Sequence, residues 1–297
     1  MLQRCARRFL LPLFPLLLLA SCAAREVKPA PVEPQRKAVR VAVVLGAGAA
    51  KGFAHVGVIK VLEANHVPIH MIVGTSVGSL VGCMSAYGYS AYDLQKIAMG
   101  LEKGELADLT VPDNGFVKGE KLEAYVNRMI RGTPMQELRI PFYAVATDIC
   151  SGQEMVFGKG NTGAAVRASC AIPGVFRPVR IGDRTYVDGG VVSPVAVDAA
   201  HRMGADVVIA VDIAAGVSGS TPGSTLDTIF QSINVMYSKI AADQLSRADV
   251  VIRPQVGYIA SGDFTKRYEA ILEGEKAAQD ALPKIRALLG ATRPPAP

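Results

Sequence analysis

Apolar and polar positions divide the chain into short apolar runs separated by longer stretches with helical spacing. Val41 to Leu45, Ile69 to Val73, Phe142 to Ala146, Val207 to Val211 and Val250 to Ile252 are short, rich in aliphatic residues and nearly free of polar side chains. Runs of this kind fit strands buried on both faces of a parallel sheet. Helical stretches are predicted over Lys51 to Ala64, Val77 to Tyr87, Gly119 to Arg131, Ser193 to Met203, Ser224 to Leu245 and Thr265 to Leu289. Pro283 is expected to kink or break the last of these. Strands alternating with helices predict an α/β fold, a three-layer α/β/α arrangement with a mostly parallel central sheet. No internal repeat interrupts a single domain over residues 40–290, and residues 291–297 read as a disordered tail.

The first residues follow another pattern. Arg4, Arg7 and Arg8 precede an apolar run from Phe9 to Ala20 that contains Pro12 and Pro15. At roughly 1.5 Å per helical residue this run is too short to cross a bilayer and reads as an export signal over residues 1–21. Leu19-Ala20-Ser21-Cys22 resembles the lipobox of bacterial lipoproteins, which implies cleavage before Cys22 and its lipidation. Acyl chains contribute about 0.8 kcal/mol per buried methylene, enough for several on one residue to hold a protein at a membrane. Ala23 after the cysteine favours, by the same resemblance, the periplasmic face of a Gram-negative outer membrane. Residues 22–39, rich in proline and charge, read as a tether too poor in large apolar side chains to fold.

Composition refines this picture. The formal charge of +6 includes the three leader arginines, so a chain cleaved before Cys22 carries +3. No run of basic residues is interleaved with aromatics, which argues against a nucleic-acid partner. Cys83, Cys150 and Cys170 remain after cleavage, with a spacing that fits no metal site. No cofactor is called for, and the oligomeric state cannot be read from the sequence.

Three segments carry chemistry. Gly46-Ala47-Gly48-Ala49-Ala50-Lys51-Gly52 joins a strand to a helix, where small residues let backbone N–H groups converge beside the helix N-terminus. Such a loop can hold a phosphate or a developing oxyanion. A dinucleotide loop would place a third glycine where Lys51 stands, and no Walker sequence follows. His55 reads as a packing or hydrogen-bonding residue.

Gly74-Thr75-Ser76-Val77-Gly78 is a GxSxG sequence between a predicted strand and a predicted helix, the setting of a nucleophile elbow. Ser76 then lies at the carboxyl end of the sheet, where α/β sites are found. A serine nucleophile needs a proton acceptor. Of the four histidines, only His201 follows Ser76 in α/β-hydrolase order, and it sits in a helix-like stretch. Asp188, followed by Gly189 and Gly190, is the better candidate, because burial beside Ser76 would raise its pKa toward that of a useful base. A weak base of this kind predicts cleavage of esters rather than amides. The stretch with Leu226, Ile229, Phe230, Ile233, Met236, Tyr237 and Ile240 on one helical face reads as core. Its alternative is an acyl-chain wall beside a lid loop over residues 216–224.

The glycine loop with Lys51, the Gly74–Gly78 elbow and Asp188-Gly189-Gly190, in that order, resemble the patatin-like phospholipase family. The likeness is greatest to bacterial relatives of neuropathy target esterase and covers nearly all of residues 40–280. Ala146-Thr147-Asp148, Val166-Arg167-Ala168-Ser169 and Ala171-Ile172-Pro173-Gly174-Val175-Phe176 extend it. The resemblance implies a Ser76–Asp188 dyad without histidine, an oxyanion hole from Gly48, Ala49, Ala50 and Lys51, and a membrane-lipid or lipid-like ester as substrate. The family's glycine triplet reads Ala47-Gly48-Ala49 here, and alanine tolerates positive φ poorly. The alternatives are a silent lipid-binding or scaffolding lipoprotein and, less favoured, an oxidoreductase on a nucleotide-binding fold.

Overall fold

The computed structural model describes residues 39–110, 115–214 and 221–292. The leader, Cys22, the tether through residue 38, the tail from residue 293 and residues 216–220 of the expected lid lie outside the described residues.

In chain order the elements are β1 (Val41–Leu45), α1 (Phe53–Ala64), β2 (Met71–Thr75), α2 (Val77–Tyr87), α3 (Ala91–Gly100) and α4 (Lys103–Leu106). Then come α5 (Glu120–Met129), β3 (Phe142–Asp148), β4 (Glu154–Phe157), α6 (Thr162–Ser169), β5 (Val179–Ile181) and β6 (Arg184–Asp188). The chain continues through α7 (Val197–Arg202), β7 (Val207–Val211), α8 (Thr225–Leu245), β8 (Val250–Ile252) and α9 (Arg267–Thr292).

The strands form one sheet in the order β5-β6-β3-β2-β1-β7-β8, with β4 also paired to β3. From β3 to β8 every pairing is parallel, whereas β4, β5 and β6 add antiparallel pairings. The mostly parallel sheet is the one the apolar runs predict. The antiparallel edge is not predicted, because short strands such as Arg184–Asp188 mix exposed polar and buried apolar positions and present no continuous apolar run.

Alternation along each strand sorts side chains into two layers. Val41, Val43, Leu45, Ile72, Ile209 and Val211 join a core with residues of α1, α2 and α9. Ala42, Val44, Val73, Val208 and Ala210 face the opposite way and pack with α7 and the end of α8. Helices therefore cover both faces, as the three-layer reading requires. Strand β2 begins two residues later than predicted, its ladder with β1 opening at Met71 opposite Ala42, and it continues through Gly74, paired with Leu45 of β1, to Thr75, paired with Val145 of β3. This extends the strand to the residue before Ser76.

Pro283 does not end α9, which runs on to Thr292. Pro283 and Gln279, whose carbonyl loses its helical partner at the proline, both lie on the exposed side of the helix. That carbonyl can turn to water there. Among the described residues, no helix is long and apolar enough to cross a membrane.

Candidate active site

The elbow is built by close backbone approach. A Cβ on Gly78 would lie 2.0 Å from the Leu45 carbonyl oxygen, and one on Gly74 would lie 2.5 Å from the Gly78 oxygen. Hydrogen at Gly78 lets helix α2 approach the end of β1 this closely, and hydrogen at Gly74 lets the helix fold back against β2. Ser76 between them has φ 56° and ψ −127°, a conformation that costs a non-glycine residue about 1–3 kcal/mol and persists only where neighbours impose it. Ser169 at the end of α6 supplies one hold, accepting the Ser76 N–H at 2.9 Å and donating to the Val145 carbonyl at 2.6 Å. Ser79 supplies another, donating its hydroxyl to the Ser76 carbonyl at 2.7 Å.

Sheet topology delivers the carboxylate. Strand β2 pairs with β3 as far as Val145, and β4 occupies the opposite edge of β3 from Ala144 to Thr147. Strand β6 joins β3 at Ala146, so it takes the edge that β2 has just left. Asp188, opposite Ala146, arrives where Ser76 turns out of the sheet. Ser76 Oγ donates to Asp188 Oδ2 at 2.5 Å, and both residues are buried. Backbone bonds fix Asp188 further: its N–H donates to the Ala171 carbonyl at 2.8 Å, and Thr147 Oγ1 donates to its carbonyl at 3.0 Å. Burial pushes the Asp188 carboxyl up to about 6, against the downward pull of hydrogen bonds from Ser76, Gly190 and Tyr237.

No histidine hydrogen-bonds either residue. His55 is fully buried with Nε2 against the Gly46 carbonyl at 2.8 Å, and burial lowers its pKa to about 4. A carbonyl only accepts, so Nε2 carries the proton and His55 staples the β1–α1 loop. His70 Nδ1 accepts the Val41 N–H, and the exposed His201 contacts the Arg247 carbonyl.

The glycine loop is narrower in its chemistry than the sequence suggests. The Ala50 N–H donates to the Ser261 carbonyl and the Lys51 N–H to the Gly48 carbonyl, both at 3.1 Å. Ala50 and Lys51 are therefore not free oxyanion donors. The N–H groups of Gly48 and Ala49 have no partner among the described residues. Ala49 takes φ 50°, so the left-handed position of the triplet falls on an alanine after all. The Lys51 side chain is buried and lines a neighbouring cavity of about 240 Å³ with mixed polar and apolar walls, among them Asn234 and Ser261. Burial lowers its pKa, and Asp212 opposes that shift.

The family profile for patatin-like phospholipase matches residues 43–201, more than half of the chain. The chain belongs to the patatin-like phospholipase family. It is 32% identical over 206 residues to an uncharacterised NTE family protein of Mycobacterium bovis, an alignment covering 68% of this chain and 57% of that protein. It is 30% identical over 243 residues to a lysophospholipase of Aspergillus fumigatus, covering 78% of this chain and 16% of that one. The chain thus spans less than two thirds of the first relative and under a fifth of the second. Among solved structures, VipD from Legionella pneumophila superposes with a TM-score of 0.60 over 82% of this chain and 67% of its own, at 13% identity. That likeness shows a shared fold. Membership of this family displaces the oxidoreductase alternative.

In this patatin-like domain Ser76 opens on an apolar cavity of about 260 Å³ that Leu80, Ile172, Val175, Phe230 and Phe264 help to line. A smaller chamber of about 70 Å³ lies beyond it, between α2, α3 and α5, with Met84, Leu94 and Tyr125 in its wall. The two share Ala49, Ala50, Val77, Leu80, Leu106 and Phe264. Helix α8 contributes to both core and cavity: Ile233 and Tyr237 are buried in the core, while Phe230 lines the cavity. Met236 on the same helix is 53% exposed. Cys83 and Cys170 are buried free thiols, and Cys150 is an exposed one.

Sequence reasoning missed Ser169 and Tyr237 as site residues. Ser169 falls in Val166-Arg167-Ala168-Ser169, a segment whose sequence carries no sign of the contact with Ser76. The Tyr237 hydroxyl donates to Asp188 Oδ1 at 3.0 Å, but in sequence it is one more large residue on an apolar helix face.

Proposed function

We propose that the chain is a serine acyl hydrolase that cleaves carboxylic esters of apolar acyl groups, of the phospholipid or lysophospholipid type, through a Ser76–Asp188 dyad. The observation that carries this reading is the 2.5 Å bond from Ser76 Oγ to Asp188 Oδ2, set at the wall of an apolar cavity.

In this reading Asp188 Oδ2 takes the Ser76 proton as Oγ adds to the ester carbonyl carbon. The Gly48 and Ala49 N–H groups receive the oxyanion, and one such donor is worth about 3 kcal/mol in the transition state. Collapse breaks the carbon–oxygen bond to the alcohol, which leaves with the proton from Asp188. Water then adds to the acyl-Ser76 ester, giving its proton to Asp188, and collapse returns that proton to Ser76. The acyl chain lies along Leu80 and Phe264, where burial contributes about 0.8 kcal/mol per methylene.

The test is to treat the protein with a fluorophosphonate and map the adduct, alongside fatty-acid release from phospholipid and lysophospholipid micelles. The expected result is a single adduct on Ser76 and acyl release that stops once the adduct has formed. Acyl release that continues at full rate from fully labelled protein would sink the proposal.

The N-terminal pattern supports a second part of the reading: Cys22 is lipidated and carries the enzyme on the periplasmic face of an outer membrane. Mass analysis of the mature N-terminal peptide from bacterial membranes should find acyl chains on Cys22. A mature chain that retains residues 1–21, or begins at an unmodified Cys22, would overturn it.

A further inference from the structure

We propose that Tyr237 is the positioning residue of this site, holding one carboxylate oxygen of Asp188 so that the other is presented to Ser76. The inference rests on the dyad reading above and assigns it a third member, from an element distant in sequence.

The two oxygens of Asp188 are used differently. Oδ1 accepts from the Gly190 N–H at 2.7 Å and from the Tyr237 hydroxyl at 3.0 Å. Oδ2 accepts from Ser76 Oγ. An ionised carboxylate can exchange its oxygens by rotation about the Cβ–Cγ bond, and two donors converging on one oxygen oppose that rotation. The Gly190 donor is two residues from Asp188 and moves with it. Tyr237, on α8, is the anchor that does not.

The second glycine of Asp188-Gly189-Gly190 supports the assignment. A Cβ on Gly190 would lie 2.3 Å from Tyr237 Cζ and 2.6 Å from its hydroxyl oxygen. The position thus leaves room for the tyrosine ring. A Cβ on Gly189 meets something else, the Val145 carbonyl at 2.2 Å. The first glycine lets the turn approach β3, and the second lets it approach Tyr237.

The titratable groups that face Asp188 among the described residues are Tyr237 from α8 and the Cys170 thiol just after α6. Burial, reinforced by the neighbouring Asp188 charge, raises the pKa of both. Tyr237 therefore stays protonated and acts as a donor throughout the working range. Each donor to Asp188 favours its ionised form. Loss of the Tyr237 hydroxyl should then raise the carboxyl further and leave more of it protonated, and so useless as a base, near neutral pH.

The test is Tyr237→Phe, which keeps the ring, with kcat and KM for a short-chain ester measured from pH 5 to 9. The acid limb of kcat/KM should move alkaline by at least about half a pH unit. The loss of activity should be greater at pH 6 than above pH 8, by about twofold or more, with KM changed less than about twofold. A variant weakened only in packing would lose activity by one factor at every pH. Carboxyl ¹³C NMR titration of Asp188, with its signal identified by loss in Asp188→Asn, reads the same hold without turnover. A shifted NMR midpoint in a protein that cleaves no ester would leave Tyr237's role standing and remove the esterase reading. An unmoved midpoint and an unmoved acid limb would overturn the role assigned to Tyr237.

Discussion

Asp188→Asn should silence ester cleavage by about a thousandfold or more while making the folded domain harder to unfold at neutral pH. The loss of activity follows from geometry, because an amide in place of Oδ2 cannot accept the Ser76 proton. The gain in stability follows from burial. The Asp188 carboxyl is fully buried and raised to about 6, whereas in an unfolded chain it titrates near about 3.9.

Below about pH 4 both states hold the proton, and the stabilisation that comes from protonating Asp188 in the fold is fully present. It is lost as pH rises through about 6, because the folded state must then ionise a group that the unfolded state ionises at much less cost. A gap of about two pKa units corresponds to about 3 kcal/mol. Asparagine is neutral at every pH, and its carbonyl can still accept from Gly190 and Tyr237. Urea unfolding of both proteins at pH 4 and pH 7.5 should show the variant's advantage opening between them. An equal difference at the two pH values, or near-parental turnover, would refute the assignment of Asp188 as a buried base.

Ser76→Ala should reduce turnover by about four orders of magnitude or more, the loss expected when a nucleophile is removed from a unit that acts together. It should also leave the backbone strain in place, because alanine at φ 56° suffers the same contact between Cβ and the backbone. Ser76→Gly should be equally inactive but about 1 kcal/mol more stable than Ser76→Ala, since glycine takes positive φ without that contact. Both variants keep the N–H bond to Ser169. A chromogenic ester assay and thermal unfolding of the three proteins would check this. Parental activity in either variant would dismiss Ser76, and Ser76→Gly less stable than Ser76→Ala would dismiss the strain at the elbow.

Much of the central sheet was legible because its strands are short and buried on both faces. Val41–Leu45 and Val207–Val211 have the same limits in the sequence reading and in the structure. The elbow was legible for a local reason, since a glycine on either side of Ser76 at a strand–helix junction encodes its own sharp turn. The antiparallel strands were not, because half-exposed strands such as β5 and β6 owe their pairing to partners far along the chain. That Pro283 does not break α9 was hidden for a related reason: the cost of a proline depends on whether the freed carbonyl faces water, and only packing sets that.

The sequence by itself determined the alternation of strand and helix, the elbow, and Ser76 and Asp188 as candidates, because each is written in residues next to one another. Only the tertiary structure decided which loop N–H groups are left without partners, since Ser261 takes the one from Ala50. It alone set Tyr237 beside Asp188, 49 residues away. Hydrogen bonds between distant segments depend on distance and angle in space, and helical spacing within α8 says nothing about what waits across the gap.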